Sequence, residues 1–199
     1  MRAAASLASL VPERGGHGAS RGSTMATVAI EPETLEILPY PAEVLSHRAE
    51  SIGVVTDEVK AVAARMLALM HEVEGIGLAA PQVGIPWRLF VTRQPDDHEG
   101  DGGQVFVNPT IEVLDPTPVE DIEGCLSLPG IEVTVRRAEG IRLMATTLDG
   151  DAVTEDRCDH FARVYQHECD HLDGILIIDR MTTMDRMRNR RAIRDLKRA

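Results

Sequence analysis

Two stretches of the chain carry apolar side chains at helical spacing. The first begins after Thr56, whose hydroxyl can cap a helix, and runs to about Glu72. Its apolar positions recur every three or four residues, at Val59, Val62, Ala63, Met66 and Met70. The second starts near Phe161 with few helix breakers, and Gly174 is placed to end it. The pattern therefore predicts two helices separated by almost 90 residues of different character.

Between these helices the pattern changes to short segments that are typical of β-strands. They span residues 88–92, 105–107, 131–135 and 141–148. The last segment is followed by Asp149-Gly150, which is a hairpin turn signal, and the polar stretch 94–103 is expected to be a loop. Antiparallel strands followed by a helix predict an α+β fold rather than a parallel, doubly wound sheet.

Residues 75–84 (Gly-Ile-Gly-Leu-Ala-Ala-Pro-Gln-Val-Gly) fit neither a good helix nor a good strand. Their small side chains leave a backbone that another chain can approach closely, although a plain loop is an equal alternative. The stretch is not a dinucleotide-binding fingerprint, because the third glycine is missing and a helix precedes it. Gln82 stands out, since a side-chain amide in such a loop can donate to a developing oxyanion.

Composition and charge narrow the class of protein. The 199 residues suit one domain with a sizeable core, and 43% hydrophobic with 27% charged residues is typical of a soluble globular protein. A formal charge of −11 argues against a DNA-binding protein, and no apolar run is long enough to span a bilayer. The 3 cysteines cannot all pair, which favours a reducing compartment with thiols as ligands or core fillers.

The two ends of the chain differ from the middle. Residues 1–33 are rich in Ala, Ser, Gly and Arg and lack a hydrophobic period, which favours a flexible extension, or a start at Met25, over a transit peptide. Residues 34–180 form the single predicted folded domain. Residues 181–199 form a basic tail, rich in Arg and compatible with a helix. A partner for this tail and a simply solvated charged end stay open as alternatives.

The strongest chemical signal is H-E-x-x-H in residues 166–174. His167 and His171 lie one helical turn apart, so both can bind one metal ion from the same face. Glu168 is then within reach of a water on that metal. The alternative is a polar helix face that carries these side chains without a ligand. The helical lead-in and the need of buried imidazoles for a partner favour the metal.

A catalytic site of the zinc type needs three protein ligands and one open position. Cys125 follows Gly124 in a strand-like setting and is the candidate for the third ligand, with a buried structural thiol as the alternative. Cys169 is two positions from His167 and points away from the histidine face, and Cys158 precedes the helix without a clear geometry.

Two protease patterns fit this H-E-x-x-H less well. A metzincin needs a third histidine at position 177, which is Ile177. A thermolysin-like site needs a downstream glutamate as its third ligand, and no glutamate follows Glu168. Asp173 and Asp179 could replace it as ligands in principle, but Asp173 faces away from the histidines on a helix. A Cys-His-His site is therefore favoured over both.

The stretches Gly-Ile-Gly-Leu-Ala-Ala-Pro-Gln (75–82), Glu-Gly-Cys-Leu-Ser (123–127) and Gln-His-Glu-Cys-Asp-His-Leu-Asp-Gly (166–174) resemble the three signature motifs of peptide deformylase, in the order of that family. The resemblance covers about 35–180. It implies antiparallel β-sheets around a central helix that carries the metal motif. It also implies metal ligands Cys125, His167 and His171, with Fe²⁺ as the expected ion and Zn²⁺, Ni²⁺ or Co²⁺ as substitutes.

The resemblance further implies a reaction and a role for each site residue. The substrate is the N-formyl-methionyl end of a nascent peptide, and hydroxide derived from the metal's water attacks the formyl carbon while Glu168 acts as general acid and base. Gln82 and the backbone N–H of Leu126 stabilise the formyl oxygen. Main-chain groups of Ile76, Gly77 and Gly124 bind the peptide as an added strand.

Context and alternatives complete these expectations. The resemblance implies a bacterial cytoplasmic enzyme, or an organellar one if residues 1–33 are a transit peptide, whose tail 181–199 contacts the ribosome. Asp159 and His160 differ from the glycine and apolar residue expected where the helix opens, and His160 is expected to border the methionine pocket. The alternatives are an endopeptidase and a ribosome-associated factor without turnover.

Overall fold

The computed structural model describes residues 30–94 and 102–198. A flexible extension is expected over residues 1–33, and residues 1–29 of it lie outside the described part of the chain. The expectation of a loop over 94–103 lies outside this part at 95–101.

The described residues form one five-stranded antiparallel sheet and four α-helices. The strands pair in chain order and are β1 (Gly77–Ala79), β2 (Leu89–Arg93), β3 (Gly103–Gly124), β4 (Glu132–Thr146) and β5 (Ala152–Arg157). The helices are α1 (Asp57–Glu72), α2 (His160–Leu172), α3 (Ile177–Arg180) and α4 (Thr183–Leu196). The predicted α+β class is confirmed, with antiparallel pairing throughout the sheet.

The helix ends follow from their capping residues. The Thr56 hydroxyl accepts from the Val59 N–H at the start of α1, and the Asp159 carboxylate accepts from the Phe161 N–H at the start of α2. Gly174 has a φ of 73°, the left-handed conformation that favours glycine just after a helix. Helix α2 packs against β1, β2, β3 and β4, so the sheet wraps around it, as expected.

Two predicted strands are wrong as separate segments, because residues 131–135 and 141–148 belong largely to the single strand β4. Their interruption in the sequence is a charged stretch around Arg136 and Arg137. The Arg137 side chain is nonetheless buried, since carboxylates pair with it, and the strand continues through it. Glycine at 140 also does not end the strand; it lies opposite Asp115 at an irregularity of the β3–β4 pairing.

Most of β3 was not predicted from the sequence. Only its first five residues, 103–107, pair with β2, and the rest pairs with β4 alone. The side chains of the middle of β3 are largely exposed and include prolines and acids, so they show no apolar alternation. Among the residues that the structure describes, none pairs with the other edge of this strand toward its end at Gly124.

Residues 75–84 are more ordered than the expected irregular loop. They contain β1, which pairs with β2, followed by a 3₁₀ turn over Ala80–Val83 that ends at Gly84. The strand is only three residues long, too short to leave a period-2 pattern.

Three apolar clusters fill the interior. One joins α1 to β1 and β2, and a second joins α2 to β2, β3 and β4 through Phe90, Phe106 and Tyr165. The third joins the segment around Leu45 and Ile131 to α3 and the inner face of α4. No helix within residues 30–94 and 102–198 is long and apolar enough to cross a bilayer.

Candidate active site

Cys125, His167 and His171 converge although Cys125 is far from both in sequence. Their ligand atoms all lie within 4.8 Å of one another, and Cys125 Sγ is 3.2 Å from His171 Nε2. Cys125 follows directly after β3, and the two histidines lie one turn apart on α2 with ring centroids separated by 4.9 Å. Cys169 is buried in the core and Cys158 is exposed, so neither belongs to this cluster.

The three donors suit a single divalent transition-metal ion. Such an ion has ligand bonds of about 2.0–2.3 Å, so its donors must sit roughly 3–4 Å apart. His167 Nδ1 lies 3.0 Å from Glu123 Oε2, which leaves its Nε2 for a metal. Nδ1 of His171 is buried without a hydrogen-bond partner in the described part of the chain, while its Nε2 faces Cys125. The donor set and its orientation fit a Cys-His-His metal centre.

Protons and a metal compete for these side chains. Burial lowers the pKa of His171 well below its ordinary value, which keeps this ring neutral and ready to bind a metal. Burial also opposes the charged form of His167, but hydrogen bonds with Cys125 and Glu123 outweigh it and raise its pKa to about 10 in the metal-free protein. Because a ligand must give up its proton, metal binding should displace a proton from His167.

Glu123 is the centre of an ionic network that lies behind the metal ligands. The sequence did not predict this network. It accepts two hydrogen bonds from Arg137, from Nε and Nη2 at 2.8 Å each, and one from Arg163 Nη1 at 2.6 Å. Burial would raise the pKa of Glu123, but hydrogen bonds from Arg137 and His167 hold it well below its ordinary range. Arg137 in turn donates to Asp170 at 2.6 Å. The only sequence signal was the position of Glu123 two residues before Cys125.

Glu168 presents an unpaired carboxylate to the site. It is 3% exposed, and its Oε2 has no hydrogen-bond partner among the residues that the structure describes. Oε1 lies directly over Gly77, where an added Cβ would come within 2.4 Å of it. Burial raises the pKa of Glu168 to about 7. A carboxylate with this pKa can both accept and donate a proton near neutral pH.

The Gln82 amide is oriented by its neighbours. Its Oε1 accepts from the Ala79 N–H at 2.8 Å, so its NH₂ group points the other way. Nε2 lies 3.3 Å from Ser127 Oγ and 3.6 Å from Cys125 Sγ. The donor group of Gln82 therefore faces the ligand cluster. Ser127, for which the sequence predicts no role, helps to hold this orientation by accepting from the Gln82 amide.

A cavity of about 550 Å³ opens onto these groups. Its walls are residues 74–77, the segment 122–126 at the end of β3, the segment 128–132 and one face of α2. Every residue predicted to act on or bind the substrate lines it, as do Cys125 and His167, whereas His171 lies behind the lining. His160 and Arg163 are part of the α2 wall, so His160 does border the cavity.

The cavity lies beside two open strand edges. The Arg93 N–H donates to the Ile76 carbonyl at 2.9 Å, so this carbonyl is used by the sheet rather than left for a peptide. Gly77 is the next residue and lies opposite Thr92, so its backbone groups point away from β2, because pairing alternates in an antiparallel ladder. Gly124 ends β3 where only β4 pairs with it.

Comparison with known proteins finds the same family by a family model and by individual relatives. Residues 34–187 match the family model described as polypeptide deformylase. A peptide deformylase of Acidobacterium capsulatum is 40% identical over 163 residues, which is 82% of this chain and 95% of the relative. One of Thermotoga sp. (strain RQ2) is 39% identical over 155 residues, which is 78% of this chain and 92% of the relative.

Solved structures agree in fold. A Plasmodium falciparum peptide deformylase in complex with an inhibitor superposes with a TM-score of 0.75 at 35% identity, covering 82% of this chain and 100% of the other. A plant peptide deformylase gives 0.79 at 33% identity, covering 86% and 92%.

Proposed function

The chain belongs to the polypeptide deformylase family, and from this premise we propose how its residues carry out the reaction. It is a metal-dependent hydrolase that removes the N-formyl group from the N-terminal methionine of newly made proteins and releases formate. The single observation that carries the residue assignment is the convergence of Cys125, His167 and His171 beside Glu168, whose Oε2 has no hydrogen-bond partner in the described part of the chain.

We assign the catalytic unit to residues 34–180, residues 1–33 to an N-terminal extension and residues 181–199 to a basic tail. The family match over residues 34–187 supports the start of the catalytic unit.

Cys125, His167 and His171 hold the metal ion, with Glu123 keeping the His167 ring in place. When bound, the ion supplies a Lewis acid that lowers the pKa of a coordinated water. We propose Fe²⁺ as the native ion, with Zn²⁺, Ni²⁺ or Co²⁺ able to replace it. The thiolate ligand makes an iron-loaded site sensitive to oxygen. Anaerobic purification followed by elemental analysis tests the assignment, and a stoichiometric content of another metal would contradict it.

Glu168 moves the proton in this mechanism. It accepts a proton from the attacking water and later donates one to the departing amine. Its buried position supports this role, because burial raises its pKa above the ordinary value and so helps the carboxyl group to donate a proton as well as accept one. A nearby cation favours the ionised form, so the working pKa in the metal-loaded enzyme lies lower.

The formyl oxygen becomes negative as the water attacks its carbon. The Gln82 amide, already turned toward Cys125, and the backbone N–H of Leu126 donate hydrogen bonds to this oxygen. Gly77 and Gly124 offer backbone groups from the two strand edges, so the peptide lies between them as an added strand. Ile76 contributes its exposed side chain to the wall, since its carbonyl already accepts from Arg93.

The test is formate release from a formyl-Met peptide by the anaerobically metal-loaded protein. Glu168→Gln should lower kcat by about 10²- to 10⁴-fold while keeping its metal, measured by elemental analysis. Glu120→Gln, an exposed change outside the cavity, serves as the matched control. No release by the loaded wild-type protein would refute the activity, and a wild-type rate in Glu168→Gln would refute the proton-transfer role.

We further propose that the enzyme acts in the bacterial cytoplasm, where α4 contacts the ribosome. Support comes from its bacterial relatives and from the arginines on the outer face of α4, of which Arg191 has an 88% exposed side chain. Replacing Arg190, Arg191 and Arg194 together with Gln should reduce co-sedimentation with ribosomes in low salt while leaving deformylation of short peptides unchanged. Equal co-sedimentation of both proteins would refute the contact.

A further inference from the structure

Arg93 binds the cavity wall that leads into β1 in two ways. Its backbone N–H donates to the Ile76 carbonyl at 2.9 Å, which continues the pairing of β1 with β2 one residue before β1 begins. Its side chain reaches one residue further, where Nε donates to the Gly75 carbonyl at 2.7 Å. Both carbonyl groups that precede Gly77 are therefore bound by this one residue.

The chain enters this wall through a turn that favours glycine but contains a glutamate. Glu74 follows the end of α1 and has a φ of 55°, in the left-handed region that glycine prefers after a helix. Its N–H donates to the His71 carbonyl at 3.0 Å, and the Gly75 N–H donates to the Met70 carbonyl at 2.8 Å. These two bonds hold the helix end of the turn, whereas Arg93 holds its strand end.

The wall lies against groups that we assign to the reaction, so its position matters for the site. A Cβ added at Gly75 would come within 3.1 Å of Leu126 Cδ1, and one at Gly77 would clash with the Glu168 carboxylate. The backbone of Gly77 is also one of the two strand edges that we assign to peptide binding. A shift of the Gly75 carbonyl would therefore move a backbone group that the substrate needs.

We propose that Arg93 is a positioning residue for peptide binding, whose guanidinium fixes the Gly75 carbonyl and so keeps Gly77 where a peptide can add as a strand. This inference rests on the proposed function. Arg93 is partly buried and does not line the cavity, so it acts through the wall rather than on the substrate. Because backbone pairing is present in the bound substrate as well as in the transition state, its loss should raise KM more than it lowers kcat.

The experiment compares the metal-loaded wild-type and Arg93→Met proteins on formyl-Met-Ala-Ala-Ala and on formyl-methioninamide, which has no residue after methionine. We expect KM for the longer peptide to rise by about 5- to 20-fold through loss of a hydrogen bond from a charged donor, with kcat within about 2-fold. The rise for the amide should be smaller, because it offers fewer backbone groups to the wall. Arg93→Lys keeps a cationic donor but loses the planar fork, so its KM for the longer peptide should rise by only about 2- to 5-fold.

Arg65→Met is the matched control. Arg65 is another partly buried arginine that donates to a backbone carbonyl, that of Leu35 at 3.4 Å, but it lies outside the cavity lining and its variant should keep the wild-type KM. Thermal unfolding shows whether each variant is folded. If Arg93→Met does not fold, Arg93→Lys decides alone.

An unchanged KM for the longer peptide in the folded Arg93 variant would overturn the inference. An equal fold-loss of kcat/KM for the peptide and the amide would overturn it as well, because a general structural defect does not depend on peptide length. No turnover of either substrate by the loaded wild-type protein would instead refute the proposed function, so the two failures are distinguishable.

Discussion

Gly77 shows how one missing side chain can position a catalytic group. Its Cα lies under Glu168, and an added Cβ would come within 2.4 Å of Oε1 and 2.8 Å of Cδ. Contacts that short do not occur, so the carboxylate would have to move. The glycine in β1 thus leaves room for the acid, in addition to exposing its own backbone to a peptide.

We therefore expect Gly77→Ala to lower kcat at least about 10-fold, because small displacements of a catalytic group are costly. The fold should survive, since the clash involves the end of one side chain. Formate release and the thermal unfolding midpoint measure the two effects. Gly53→Ala is the control, because a Cβ there meets nothing within 4 Å. Wild-type activity in Gly77→Ala would contradict this account.

The pKa of Glu123 has a consequence for stability. Burial raises this pKa, but hydrogen bonds from Arg137 and His167 lower it more, so the folded value lies below the unfolded value of about 4.3. A group of this kind stabilises the folded protein above its unfolded pKa, and that stabilisation is lost as the pH falls through the folded pKa.

We expect the free energy of unfolding of the metal-free protein to decrease as the pH falls below about 5. Glu123→Gln should be less stable near neutral pH and should show a shallower decrease, because it has no carboxylate to protonate. Denaturant titrations between pH 3 and pH 7 measure both. Glu120→Gln changes an exposed pair and should keep the wild-type slope. Parallel curves for Glu123→Gln and wild type would exclude the mechanism.

At the scale of elements, α4 has two dissimilar faces. One face carries the exposed arginines, while Ile193 and Leu196 pack against the cluster that contains Leu45 and Ile131. Asn189 on the same inner side donates to the Glu132 carbonyl at 3.1 Å. The tail is thus a helix bound to the catalytic unit.

A chain that ends at Thr182 should lose this packing. We expect its thermal midpoint to fall by on the order of 5–10 °C, from the apolar area exposed and the usual shift of 2–4 °C per kcal/mol. Calorimetry measures the shift. The variant with Gln at 190, 191 and 194 keeps the inner face and should unfold near the wild-type temperature. An unchanged midpoint after truncation would show that α4 adds no stability.

The elements differ in how far their sequence predicts them. Helix α1 follows its Thr56 cap and its apolar period, so pattern and structure agree. Strand β4 was divided in two, because the partners that bury Arg137 lie on β3 and α2 and leave no local signal. Gln82 and Cys125 are predictable from their motifs, because each can act directly on a metal or a substrate. Glu123 is not predictable in this way, because it acts only through its contact with His167.

At the scale of the whole molecule, the metal ligands connect parts of the chain that are distant in sequence. Cys125 follows β3, whereas both histidines belong to α2. A metal bound only by the folded protein raises the free energy of unfolding by RT ln(1 + [M]/Kd), about 2.7 kcal/mol at 100 times Kd.

Removal of the metal by a chelator should therefore lower the thermal midpoint, and adding Ni²⁺ or Zn²⁺ should restore it. Cys125→Ala should show no such response. Cys169→Ala changes a buried thiol outside the ligand cluster and should keep the response while being less stable overall. A chelator effect that survives in Cys125→Ala would place the metal elsewhere.

The long open edge of β3 is a place where two copies of the protein could associate at high concentration. Its middle exposes Val113, Leu114 and Val119, yet Pro116 and Pro118 and several acidic residues interrupt it. Prolines cannot donate to a neighbouring strand, and carboxylates repel a second identical edge. We expect monodisperse sedimentation at high concentration, and reversible self-association in Pro116→Val/Pro118→Val. A short peptide could then pair with the strand edge near Gly124, whereas a second copy of the protein could not pair with the middle of β3.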